Sequence, residues 1–424
     1  MKKLMKTVPM ILLITAIFSI SAFATDGYFS HGYGTKNKSM GGIGVAMPLG
    51  PMAPAANPAS LFFLDNSYEI SIALFSPFRD YTITGNPSGY PNTFPLTPGK
   101  IESDSKFFII PSFSANWRID EKSTFGLALF GNGGMNTDYD TKTFNHPMLT
   151  VTQPTGVNLS QMFAALTYAR EFVEDHSFGV TGIVAYQWFK ATGMQAFGGY
   201  SSDAMNLTDN DNSKSFGFGA RFGYMGRLSS KFSVGASYQT KMFMSEFEEY
   251  AGLFAEQGDF DIPSNWTVGF AVHPNEKFSF AFDLQQIKYS EVNSVGNLMN
   301  PQQMAQGVAL GSDNGAGFGW QDMTVFKLGS QYVLDDEWSF RAGYSFGEQP
   351  VPDTEVMFNI LAPGIIEQHL TFGLSKMFGD REFNIAVMRA FSKSVTGANP
   401  MEAPGQQDIK LRMDQWEFEI SLGF

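Results

Sequence analysis

Trp416-Glu417-Phe418-Glu419-Ile420-Ser421-Leu422-Gly423-Phe424, the last nine residues, place a bulky apolar side chain at every second position with a charged or small one between. Successive side chains of a β-strand point to opposite faces, so this strand has one greasy and one polar face. The same period runs through Trp338, Phe340, Ala342, Tyr344 and Phe346 against Ser339, Arg341, Gly343 and Ser345. It recurs where Phe278, Phe280, Phe282 and Leu284 oppose Ser279, Ala281, Asp283 and Gln285. Bulky residues are assigned to lipid and small or charged ones to an enclosed lumen. The lumenal set then includes Arg221, Asp283, Lys327, Arg341 and Glu417. They are expected to pair with one another across the interior, because a desolvated unpaired charge is costly.

Outward from that strand, residues 67–424 divide into about 14 such segments. Short polar links fall at 120–122, 174–176, 229–231, 274–277, 334–337 and 379–381, and long ones at roughly 81–100, 140–157, 190–213, 249–259, 293–320, 350–365 and 395–410. Alternation of short turns with long loops is the signature of an up-and-down barrel in an outer membrane, with both termini on the short-turn, periplasmic side. Beyond the first residues no segment offers the roughly 20 apolar residues of a membrane-spanning helix. A β passage must then close on itself, since lipid cannot satisfy an open sheet edge. A mean hydropathy near zero agrees, because such strands hide their hydrophobicity in every second residue. Phe424 ends the last strand as a signal to the barrel-assembly machinery. The expected fold is an all-β transmembrane barrel of about 14 antiparallel strands, embedded as a multi-pass protein in outer-membrane lipid.

Lys2, Lys3 and Lys6 precede an apolar run from Met10 to Ile20, and Ala22-Phe23-Ala24 offers a small-residue cleavage site. Residues 1–24 therefore read as a secretory signal peptide. Its removal leaves 424 − 24 = 400 residues and, with three lysines gone, changes the formal charge from −13 to −16. So acidic a chain is a poor partner for nucleic acid. There are no cysteines, which excludes a disulfide framework and thiolate metal sites.

Residues 25–66 differ from the rest, being rich in Gly, Met, Ala and Pro without sustained alternation. They contain Gly32-Tyr33-Gly34-Thr35-Lys36, Met40-Gly41-Gly42-Ile43-Gly44 and Ala55-Ala56-Asn57-Pro58-Ala59. The order of a phosphate-binding loop is absent. Small residues let a backbone pack closely, so this segment is expected to fold into the lumen as a hatch that plugs the barrel formed by 67–424. Two alternatives are a general porin, which predicts no plug, and a barrel-embedded lipolytic enzyme, which needs a nucleophile and base in reach of one another. His31, His146, His176, His273 and His369 are scattered and sit in no nucleophile motif. No catalytic residue, metal ligand set or cofactor is assigned.

The glycine-rich entry before Asn57-Pro58-Ala59 is followed by Trp266-Thr267-Val268-Gly269-Phe270, Pro274-Asn275-Glu276-Lys277 and Asp283-Leu284-Gln285. Then come Lys327-Leu328-Gly329, the run Trp338 to Tyr344, Val351-Pro352-Asp353 and His369-Leu370-Thr371-Phe372-Gly373-Leu374. In this order and spacing, across essentially the whole mature chain, they resemble the long-chain fatty acid transporter family of outer-membrane proteins (FadL type), which includes aromatic-hydrocarbon importers. The resemblance implies a fourteen-stranded barrel plugged by an N-terminal hatch and importing hydrophobic molecules. It further implies that Asn57, Pro58 and Ala59 approach an inward kink in the third strand, beside a lateral opening.

That strand reads Thr124 to Phe130 and then Gly131-Asn132-Gly133-Gly134, where three glycines in four residues permit a bulge. A turn centred on 120–121 makes paired positions sum to about 241, which sets Pro111 of the second strand opposite Phe130 and Ser112 opposite Leu129. Proline offers no N–H, so the ladder should fail there. Candidate contacts for a hydrophobic substrate are Met194, Phe197, Leu253 and Phe254 in the outer loops, and Phe29, Met40, Ile43 and Met47 in the hatch. Whether the substrate is a fatty acid, an alkane or an aromatic stays open, since each needs the same apolar lining.

Overall fold

The structure, a computed structural model, describes residues 26–146 and 150–424, so the expected signal peptide lies outside it. Fourteen antiparallel strands form the wall: β1 (Ser67–Gly85), β2 (Phe108–Asp120), β3 (Ser123–Asp138), β4 (Gly156–Val173), β5 (His176–Thr192), β6 (Ser213–Ser229), β7 (Phe232–Gln239), β8 (Asn265–Val272), β9 (Phe278–Ile287), β10 (Met323–Val333), β11 (Trp338–Gly347), β12 (Gln368–Phe378), β13 (Arg381–Ala398) and β14 (Gln407–Gly423). Each pairs with the next, and β14 returns to β1 from Glu69↔Gly423 to Gly85↔Gln407. Tyr68 and Phe424 exchange two backbone hydrogen bonds of 3.0 and 2.9 Å, so pairing persists to the last residue. Two short strands, Gly99–Glu102 and Phe243–Met244, extend the sheet along β1 and β6 above the wall.

Side-chain oxygens of Asp and Asn set the short turns. Asp335 Oδ1 accepts from the N–H groups of Glu337 and Trp338 at 3.0 and 2.8 Å, Asn275 Oδ1 does the same for Lys277 and Phe278, and Asp120 Oδ1 accepts from Lys122. The faces separate as the alternation requires. Trp416, Phe418, Ile420 and Phe424 are exposed on the lipid side, whereas Glu417, Glu419 and Ser421 are buried on the other.

The last long link is shorter than expected. Instead of spanning 395–410 it spans 399–406, because β13 and β14 stay paired through Val395↔Leu411 and Ala398↔Asp408. Their lumenal side chains Val395, Ile409, Leu411 and Met413 are buried in the same apolar cluster as Val356 and Leu361 from the loop before β12. That packing holds the protruding strands above the lipid belt. Among the described residues no helix is long and apolar enough to cross a membrane.

Candidate functional site

Residues 26–66 contribute no wall strand and are almost wholly buried, and their polar partners are the lumen-facing side chains. Lys38 Nζ lies between two β14 carboxylates, bonded to Glu417 and 2.6 Å from Glu419, and Thr35 Oγ1 donates to Glu419 at 2.7 Å. Asp283 accepts from the backbone N–H groups of Gly44 and Val45 at 2.8 and 3.1 Å. Lys327 donates to the His31 carbonyl at 2.7 Å and stands 3.2 Å from Asp26. The wall charges were expected to pair with one another. Asp283, Lys327 and Glu417 instead bind this segment, while Arg341 donates to Gln331 and Ser375, and Arg221 to Gln239. The physical reason is distance: residues 26–66 bring their polar groups nearer to these side chains than the far wall does. His31 is buried against Lys38 and stacked 5.7 Å from His369; burial first, and then these neighbours, push its pKa well below the usual histidine range.

Asn57 is the hub of the lower hatch. Its Nδ2 donates to the carbonyls of Val45 and Tyr224 at 2.6 and 2.9 Å, and its Oδ1 accepts from the N–H of Ala59 at 3.0 Å, capping the turn Pro58–Phe63. A Cβ on Gly223 of β6 would lie 2.0 Å from Asn57 Oδ1, so glycine is what admits this contact. Asn57, Pro58 and Ala59 thus meet β5 and β6, not the bend in β3. Replacing Asn57 with Ala takes the side-chain partners from the buried Val45 carbonyl and the Ala59 N–H, at roughly 1–3 kcal/mol each, and cuts the tie to β6 at Tyr224. In Asn57→Ala, proteolysis of the hatch should quicken while the barrel keeps its heat-modifiable mobility; unchanged protection would show that Asn57 holds nothing.

The bend itself lies where the glycines put it. The β3–β4 ladder shifts between Gly131 and Gly133, leaving Asn132 as the extra residue. Here the top of the hatch takes over the vacated edge: Ser30 N–H donates to the Asn132 carbonyl at 2.8 Å and Gly134 N–H to the Tyr28 carbonyl at 3.1 Å. A Cβ on Gly133 would come within 1.9 Å of the Tyr28 carbonyl oxygen. Tyr33 Oη adds a bond of 2.8 Å to Asn132 Oδ1.

On its other side β3 loses β2. Paired positions sum to 242, one more than the turn count suggested, because the turn residues are Glu121 and Lys122, which makes Asp120 face Ser123 with a sum of 243, and the register shift between Arg118 and Asp120 takes back one. The last rung is Phe113↔Leu129. Pro111 therefore lacks the expected Phe130 partner; it pairs with Ile72 of β1 instead. Above it, Phe130 to Asp138 have no rung with β2: all but Asn132 pair with β4 on the other side, and Gly133 bridges Phe29. The wall closes again at an isolated bridge between Ser103 and Tyr139, where Asp104 N–H donates to the Asp138 carbonyl at 2.7 Å. The result is an interruption bounded by Phe113–Leu129 below and Ser103–Tyr139 above. A small cavity meets it from inside, lined by Tyr33, Ile110, Ser112, Phe130 and Gly131.

The outer loops fold over the barrel mouth. Met194, Leu253 and Phe254 line one apolar cavity together with Phe318, Phe358 and Leu361. Phe197 packs beside it on Phe94, Phe144 and Phe358 with ring centroids 5.1–5.4 Å apart. Phe29 belongs to a deeper aromatic group with Tyr28, Tyr289 and Trp320. Met40, Ile43 and Met47 do not join it; they form a separate cluster with Ala271 and Ala281 of the wall. Sequence reasoning missed Tyr28, Tyr289, Trp320 and Phe318. For Tyr289, Phe318 and Trp320 the signal was large aromatics in a long loop, where exposure to solvent is unfavourable; Tyr28, in the N-terminal segment, carried no such signal.

Residues 11–363 match the family model of the outer membrane protein transport proteins (OMPP1/FadL/TodX). No curated protein matches the chain. Among solved structures, the toluene transporter TodX of Pseudomonas putida aligns with a TM-score of 0.67 at 19% identity, covering 93% of this chain and 98% of that one. A Pseudomonas aeruginosa FadL homologue aligns with a TM-score of 0.70 at 14% identity, covering 94% and 99%. The Ralstonia pickettii toluene transporter TbuX gives 0.61 at 19%, covering 93% and 98%. At these identities the likeness establishes the fold. The chain belongs to the OMPP1/FadL/TodX family of outer-membrane transport proteins and resides in the bacterial outer membrane.

Proposed function

We propose that this transporter takes up long-chain fatty acids or related hydrophobic molecules by passive diffusion and releases them sideways through the interruption between β2 and β3. The broken ladder beside a filled lumen carries this reading. An apolar chain of sixteen carbons gains on the order of 12 kcal/mol on leaving water, at about 0.8 kcal/mol per methylene. A water-filled pore would hold such a molecule back at each end. A sequence of apolar surfaces ending in lipid offers it no comparable barrier. Capture would fall to the loop cavity of Met194, Leu253 and Phe254 with Phe197 beside it, and passage to the aromatic group around Phe29. Residues 26–66 would act as the plug, with Asn57, Pro58 and Ala59 fixing its lower end and the bulge at Gly131, Asn132, Gly133 and Gly134 receiving its upper end. The charges and glycines described above serve this by docking the plug closely, and no enzymatic step is needed.

Native mass spectrometry of protein extracted from its own membrane tests the reading. The expected spectrum carries apolar adducts of fatty-acid or hydrocarbon mass. A protein free of such adducts that conducts ions steadily in planar bilayers would point to a general porin.

A further inference from the structure

Arg79 of β1 and Gln415 of β14 hold unused hydrogen-bonding groups at the upper lip of the interruption. Arg79 faces the lumen, as Ala73, Phe75 and Tyr81 do, and is 6% exposed. Its Nη2 donates to the Ser105 carbonyl at 2.7 Å and its guanidinium stands 5.9 Å from the Phe108 ring. Its Nε is buried without a partner. Among the described residues Arg79 forms no ion pair, whereas Lys36, Lys38 and Lys327 in the same lumen each have a carboxylate. Gln415, fully buried, has neither its Nε2 nor its Oε1 bonded. It stands across from Pro77, and Arg79 across from Met413, so the two side chains are diagonal neighbours on one face.

Their position is specific. From Ser76 to Phe78 the β1 edge has no partner on this side among the described residues: pairing with β2 starts at Phe75↔Phe108, Ser103 N–H donates to the Arg79 carbonyl at 2.9 Å, and the short strand resumes the ladder at Asp80↔Glu102. Directly below, Ala73, Phe75, Phe108 and Ile110 make a small apolar cluster of their own. An apolar surface therefore leads to two open donors, one of them permanently charged. Leaving such groups buried and unmade is expensive, and an acceptor of small size and negative charge answers both.

We propose that Arg79 and Gln415 hold the carboxylate head of a fatty acid while its chain lies across Phe75, Phe108 and Ile110 in the interruption, an inference that rests on the lateral route proposed above. The substrate class is then an anionic single-chain amphiphile rather than a neutral hydrocarbon. A phosphate head of a membrane lipid would present similar acceptors, and the test separates the two.

Uptake of oleate and of oleyl alcohol, which share a chain and differ in the head, is compared in cells lacking their own importer. In Arg79→Gln the ratio of oleate to alcohol uptake falls about tenfold or more, the order expected for a charge-assisted hydrogen bond. Arg79→Lys keeps most of the ratio, and Gln415→Leu lowers it less than Arg79→Gln does. A ratio within twofold of wild type in Arg79→Gln, with barrel abundance unchanged, overturns the proposal. If Arg79→Gln does not assemble, the same reading is taken from Gln415→Leu, where an unchanged ratio overturns it. Native mass spectrometry of the same variants decides the source: loss of a fatty-acid adduct supports the proposal, and loss of a phospholipid adduct overturns it. A wild-type protein that imports neither compound contradicts the transport reading instead.

Discussion

Deletion of residues 27–60 should turn a nearly silent barrel into one with the steady conductance of an open aqueous channel. The wall does not depend on the hatch for closure, since every strand has two neighbours over at least part of its length and β14 pairs with β1 over seventeen rungs, from Glu69↔Gly423 to Gly85↔Gln407. What the deletion removes is the hatch partners of Glu417, Glu419 and Asp283 and the His31 carbonyl that Lys327 binds. Were the lumen to stay dry, each stranded charge would cost several kcal/mol. Water can enter once the hatch is gone, so these charges become solvated and line a polar pore. The truncated protein should keep its heat-modifiable mobility in electrophoresis while its conductance rises. An assembled barrel whose conductance stays at the wild-type level would mean that the outer loops, not residues 26–66, close the lumen.

The wall was legible because period-two alternation survives in single strands. Trp416 to Phe424 needed no partner to reveal which face meets lipid, and Asp120, Asn275 and Asp335 marked their turns by local chemistry. The bulge was legible for the same reason, since Gly131, Gly133 and Gly134 weaken a strand wherever they stand. Register was harder. The β2–β3 turn is centred on 121–122 instead of 120–121, and an irregularity beside it then moves the sum from 243 to 242, which the residues of the turn alone do not reveal. The hatch was least legible, because it has no period. Its residues are placed by partners hundreds of positions away, such as Lys38 on Glu417 and Tyr28 beside Tyr289. Hence Asn57 was expected at the β3 bend and lies on β6, while Tyr28, Ser30 and Tyr33 take the place by the bend. Arg79 could have been found: with Phe75, Pro77 and Tyr81 it falls on the lumenal phase of β1.

Closing the β2–β3 interruption with a covalent bond tests the lateral route most directly. Extending the register of 242 by one rung beyond Phe113↔Leu129 makes Ser112 and Phe130 the first positions that would pair if the ladder continued. Both line the cavity at the interruption, and Ser112 Oγ lies 2.6 Å from Ser71 Oγ on the lumenal face. The chain has no cysteine, so Ser112→Cys with Phe130→Cys can form one bridge only. Ala115→Cys with Leu127→Cys, a rung already paired, serves as the control. Oxidation of the Ser112–Phe130 pair should reduce uptake of a hydrophobic substrate to that of cells without the protein, and reduction should restore it, while the control pair transports in both states. If the Ser112–Phe130 bridge forms quantitatively and uptake continues unchanged, substrate does not leave between β2 and β3.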